Sequence, residues 1–217
     1  MKKIAIILSG CGVYDGAEIQ EAVLTMLAVE RNGASYRCFA PDINQHHVIN
    51  HLTGRESEGE QRNVLVESAR IARGDAEPLT ELFSDEFDAL ILPGGFGAAK
   101  NLCNFALTEG DVSINTEVKA ACQQFANAQK PLGFMCIAPV MIPLILGDGA
   151  RGTIGKDIGI TEATVKMGLD HVTCEVDEIV VDEANKVVST PAYMLATTIS
   201  EAANGIDKLV AAVIERT

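Results

Sequence analysis

No apolar run in this 217-residue chain reaches the roughly 18 to 20 residues that a membrane-spanning helix needs. None of its six cysteines belongs to a C-x-x-C pair, so neither a zinc ribbon nor a thioredoxin-like motif is supported. The common nucleotide loops are missing too: G-C-G-V-Y-D-G, Gly10 to Gly16, fits neither G-x-G-x-x-G nor G-x-x-x-x-G-K-[ST]. Positive charge is scarce, with 17 Lys and Arg against 30 Asp and Glu and a formal net charge of −13. Such a chain repels nucleic acid and anionic membranes, and neither is expected as a partner. No Pro/Gly/Ser-rich linker interrupts the composition, so residues 1–217 read as one domain.

The N-terminal M-K-K-I-A-I-I-L-S-G has the basic start and apolar run of an export signal. The run is short, however, and flows into a glycine turn, so it reads as a first strand. With no export signal evident, the cysteines are expected to be free thiols and the location cytoplasmic. Three of the four histidines, His46, His47 and His51, fall in the polar stretch Pro41–Gln61. No H-E-x-x-H motif accompanies them and the adjacent pair points apart, so no metal site is expected.

What is present alternates between buried strands and amphipathic helices. Lys3–Ser9 is rich in Ile and Leu, as in a parallel strand covered on both faces. After the glycine loop, apolar residues at Ile19, Ala22, Val23, Met26 and Leu27 fit one helix face, ending near Gly33. Ser35–Ala40 reads as a second strand, Asn63–Arg73 as a helix and Phe87–Leu92 as a further strand running into Gly94 and Gly95. A helix over 113–128 leads to a strand over 131–135 and a helix over 137–146. Beyond Gly147, Thr161–Met167 looks helical, His171–Cys174 extended, and residues 179–190 two short strands joined by a turn. An amphipathic helix over 200–215 closes the chain. This order predicts a mostly parallel, doubly wound α/β sheet with helices on both faces.

Cys136 stands where a short buried strand meets the next helix. Unpaired amides at such a turn favour a thiolate and can make the residue a nucleophile. Cysteine is also among the most buried residue types, and packing explains this stretch equally well. Glu18 falls in the first turn of the first helix, near the sheet edge where α/β proteins place ligands; a carboxylate there also serves the helix dipole. Gly94 and Gly95 expose backbone N–H groups that can bind an oxyanion, or they simply make a turn. All three places lie on the same sheet edge, which turns separate weak signals into an acid or base, an oxyanion site and a nucleophile around one pocket.

S-G-C-G-V-Y-D-G-A-E, L-P-G-G-F-G-A-A-K-N and G-F-M-C-I-A-P, in this order, resemble the ElbB-type glyoxalase and isoprenoid-biosynthesis branch of the PfpI/ThiJ, class I glutamine amidotransferase-like superfamily. The likeness extends to T-P-A-Y-M-L-A and G-I-D-K-L-V near the C-terminus. It implies a flavodoxin-like three-layer sandwich, Cys136 at a nucleophile elbow, Glu18 against its sulfur, and oxyanion donors near Gly95 and Ile137. Similar proteins act on glyoxal without a cofactor and form homodimers, so a small dicarbonyl substrate, no cofactor and a homodimer are expected. Many relatives carry a histidine directly after the cysteine; here Ile137 follows, and His171 is the only downstream histidine left to complete a triad. The absence of a late His-x-Glu pair argues against glutamine hydrolysis. Two functions follow. One is a glyoxalase in which Cys136 forms a hemithioacetal and Glu18 shuttles a proton. The other is a non-enzymatic protein that senses oxidation at Cys136, with a link to isoprenoid metabolism.

Overall fold

The computed structural model describes residues 1–217. Seven strands form the central sheet: β1 (Lys3–Ile7), β2 (Ser35–Ala40), β3 (Ala76–Pro78), β4 (Ala89–Leu92), β5 (Leu132–Met135), β6 (Val180–Asp182) and β7 (Val187–Thr190). Their spatial order is β6-β7-β5-β4-β1-β2-β3, parallel throughout except for the β6–β7 hairpin. The chain winds outward from β1 to β3, then returns to lay β4 on the other side of β1. This reversal makes the carboxyl ends of β1 and β4 the switch point where open α/β sheets bind ligands.

Six helices cover the sheet: α1 (Ile19–Arg31), α2 (Val64–Ile71), α3 (Thr116–Asn127), α4 (Ile142–Leu146), α5 (Ile158–Lys166) and α6 (Ile199–Glu215). α1 packs on α6, which also lies over β5 and β7, while α3 contacts α4, β4 and β5. The central strands are sealed, with Ile4 to Leu8 and Ala89 to Leu92 wholly buried. This is the doubly wound sheet expected from the strand and helix alternation, in the flavodoxin-like sandwich that the family resemblance implies.

Several local expectations shift. The helix expected over 137–146 divides into a 3₁₀ turn, Ala138–Met141, and the short α4. Pro143 has no N–H to carry one α-helical ladder through the segment. The polar stretch after β2 contains a small antiparallel pair, Ile49–Asn50 with Arg55–Glu56. A π-helical turn, Ala98–Leu102, follows the glycines after β4. α1 is also rotated relative to its sequence pattern: Ile19, Val23 and Leu27 are 43%, 47% and 37% exposed, whereas Glu21, Ala22, Thr25, Met26 and Val29 face inward.

Candidate active site

β5 ends at Met135, and Cys136 follows with φ of +59°. An L-residue in this left-handed region costs on the order of 1–3 kcal/mol and persists only where its surroundings impose it. Here the Cys136 N–H donates to the Thr190 carbonyl at the end of β7, at 3.1 Å. The strain turns the thiol out of the sheet line and into the switch-point crevice.

The sulfur meets a carboxylate, and it is Glu21. This side chain has no solvent exposure and pairs with the Cys136 thiol. Its Oε2 accepts the Gly94 N–H at 2.9 Å and its Oε1 the Tyr193 N–H at 3.1 Å. Each oxygen is thus fixed by one backbone donor. Ala192, directly before Tyr193, also takes a left-handed φ, +44°, so strained backbone flanks the pair on two sides. Gly94 must lack a side chain: a Cβ there would lie 2.4 Å from Cys136 Cβ, 2.8 Å from Glu21 Oε2 and 2.9 Å from Sγ.

Burial pushes the Glu21 carboxyl up to about 7, with the Glu18 charge adding to it and the amides of Tyr193 and Gly94 opposing it. Burial also drives the Cys136 thiol well up, helped by the Glu21 charge and opposed by the amides of Gly95 and Ile137. Two buried acids in contact do not both ionise, and burial holds both Cys136 and Glu21 toward their protonated forms. The helix-terminal thiolate expected from sequence is therefore corrected. The following segment is only a 3₁₀ turn, and burial keeps the thiol protonated.

Glu18 has a different place from the one expected. It caps α1, its Oε2 accepting the Glu21 N–H at 2.7 Å, and it lines the pocket beside Cys136 without being the sulfur's carboxyl partner. Burial raises its pKa, while the Glu21 and Gln20 amides act in the opposite direction. Gly94 is likewise corrected, because its N–H is taken by Glu21. The Gly95 and Ile137 amides face the sulfur. His171 does not line the pocket. It sits in a short strand, Asp170–His171, paired with Arg151–Gly152 outside the main sheet, and its Nε2 accepts the Ile154 N–H at 3.3 Å.

The pocket holds about 190 Å³ and is walled by Val13, Glu18, Phe96, Ile137, Ile160, Tyr193 and Met194, with Gly95 and Cys136. It is mostly apolar and small. A wider groove of about 580 Å³, between residues 105–112 and α5, contains neither cysteine nor histidine. Sequence reasoning missed Glu21 and Tyr193. The available signal was an acid three residues after Glu18, hence on the same helix face, in a helix that buries that face.

No family model matches the chain. It is similar to the human (Homo sapiens) glutamine amidotransferase-like class 1 domain-containing protein 3, mitochondrial, at 46% identity over 224 residues, covering 99% of this chain and 83% of that protein. It is 45% identical to the ES1 protein homolog, mitochondrial, of Rattus norvegicus, covering 99% and 84%. Among solved structures, an isoprenoid biosynthesis protein with amidotransferase-like domain from Ehrlichia chaffeensis superposes with a TM-score of 0.91 at 40% identity, covering 99% of this chain and all of that one. A DJ-1 superfamily protein from Salmonella typhimurium shares the fold, with a TM-score of 0.60 at 19% identity over 99% and 91% of the two chains. The curated relatives carry mitochondrial names, which overturns the cytoplasmic location expected from sequence.

Proposed function

This chain belongs to the glutamine amidotransferase-like class 1 family, on the DJ-1/ThiJ/PfpI fold, and from that premise we propose that residues 1–217 act as one domain converting small dicarbonyls to 2-hydroxy acids without a cofactor. The observation that carries this reading is the buried Cys136–Glu21 pair beside a small apolar pocket, with two amides aimed at the sulfur.

The Cys136 sulfur bonds to the aldehyde carbon as its proton moves to Glu21, and Glu21 returns that proton to the new alkoxide, giving a hemithioacetal. The Gly95 and Ile137 amides stabilise the oxygen while it is charged. Glu18 then removes the hydrogen from the former aldehyde carbon as a proton and delivers it to the neighbouring carbon. The hydroxyl proton passes to the adjacent oxygen, which leaves a thioester of the 2-hydroxy acid. Water cleaves the carbon–sulfur bond, releasing the acid and restoring the thiol. The two carboxyls thus divide the work, Glu21 serving the sulfur and Glu18 the substrate carbons.

The test is turnover of glyoxal and methylglyoxal by the purified protein, followed by product analysis. Cys136→Ser should abolish it. Glu18→Gln, which keeps the side chain's size but cannot carry the proton, should lose about 10²-fold, the usual scale of general acid–base help. Glu21→Gln should also slow alkylation of Cys136 by iodoacetamide, whereas Glu18→Gln should not. His171→Ala should change turnover little. Activity that survives Cys136→Ser would overturn the thiol mechanism.

A further inference from the structure

Lys100 lies in the π-helical turn Ala98–Leu102, a backbone form often found at functional sites. Its ammonium donates to the Tyr14 carbonyl at 2.9 Å and stands over the Phe96 ring, 5.1 Å from the centroid. One anchor, Phe96, lines the pocket, and the other, Tyr14, directly follows Val13, which lines it too. The Phe96 N–H donates to the Val13 carbonyl at 2.7 Å and joins two residues of the pocket wall.

An ammonium has three donors, and one is used here. No carboxylate pairs with it, and Asp15 and Glu56 act on it only at longer range. Other cations with acids in reach take them, as Arg151 does with Asp170 and Arg216 with Glu183. His46 lies near: burial lowers its pKa first, then the charges of His47 and Lys100. Lys100 is therefore a cation without a carboxylate partner, set against a pocket-lining ring in a chain whose net charge is −13. Glu18, the pocket's accessible acid, is bound to the α1 N-terminus, whose amides offset its charge.

We propose that the Lys100 ammonium, held by the Tyr14 carbonyl against the pocket-lining Phe96 ring, selects carbonyl compounds carrying an anionic oxygen group, carboxylate or phosphate, beyond the reacting carbon. The substrate class rests on the reading above, but the charge selectivity belongs to the pocket whatever its chemistry. The reacting atoms gain no bond to Lys100, which is a specificity-determining residue.

The experiment compares alkylation of Cys136 by anionic iodoacetate and neutral iodoacetamide, followed by peptide mass mapping. In Lys100→Met the iodoacetate-to-iodoacetamide rate ratio should fall about five-fold, the scale of one partly screened charge, and Lys100→Arg should restore it. Added salt should narrow the difference. An unchanged ratio in Lys100→Met overturns the proposal. Turnover supplies a second arm with methylglyoxal, 4,5-dioxopentanoate and 3-phosphooxy-2-oxopropanal, in which a higher kcat/KM for either charged compound, lost in Lys100→Met, supports it and tells carboxylate from phosphate. A shifted alkylation ratio without turnover would keep Lys100 and remove the glyoxalase. Turnover with an unshifted ratio would do the reverse.

Discussion

At the scale of single residues, the site turns on a carboxyl whose charge is suppressed. Glu21 ionises near 7 in the folded chain against an ordinary 4.5. Between those values the unfolded chain has released this proton and the folded chain retains it. Folding stability from this group is therefore full below about 4.5 and declines as pH rises through about 7. Glu21→Gln has no proton to lose, so its denaturation midpoints, measured from pH 4.5 to 8, should follow a flatter curve than the wild type's. A variant curve that parallels the wild type would show that Glu21 titrates normally. Cys136 and Glu18 were legible as members of one pocket because glycines and a strand end mark their places. Glu21 was not legible. Charged side chains are rarely buried without partners, and its partners, the Gly94 and Tyr193 amides, are backbone atoms with no signature in sequence.

At the scale of elements, strands were easier to read than helix faces. β1, β4 and β5 are short apolar runs buried on both sides almost throughout, and their residues need no orientation to be recognised. α1 does: its apolar residues form two rows, and the row at Ile19, Val23 and Leu27 points outward. The winning face is the one that brings Glu21 and Thr25 to the core, where Thr25 Oγ1 donates to the Glu21 carbonyl at 2.7 Å. Polar residues thus marked the inner face, contrary to hydrophobic periodicity. α6 carries a cleaner signal. Thr198 Oγ1 accepts the Glu201 N–H at 3.2 Å, and Glu201 reaches back to the Thr198 N–H. Thr198→Ala should cost about 1 kcal/mol in urea unfolding, the ordinary worth of such a cap. No loss of stability would mean that the Glu201 bonds to Thr197 hold the helix start alone.

At the scale of the whole molecule, two copies are expected to associate, an expectation fed by the apolar row that α1 leaves in solvent. Light scattering at micromolar concentration should give twice the chain mass of 23.1 kDa; a single-chain mass would refute it. The hydrogen bonds of Glu21 have a further consequence. They span 73 residues to Gly94 and 172 to Tyr193, so one side chain ties the first helix to the middle and the last fifth of the chain. During synthesis the N-terminal part emerges first, and until β7 docks one carboxyl oxygen has no fixed partner and the thiol no settled neighbour. The pairing of Glu21 with the thiol is therefore completed only once the segment after β7 has docked.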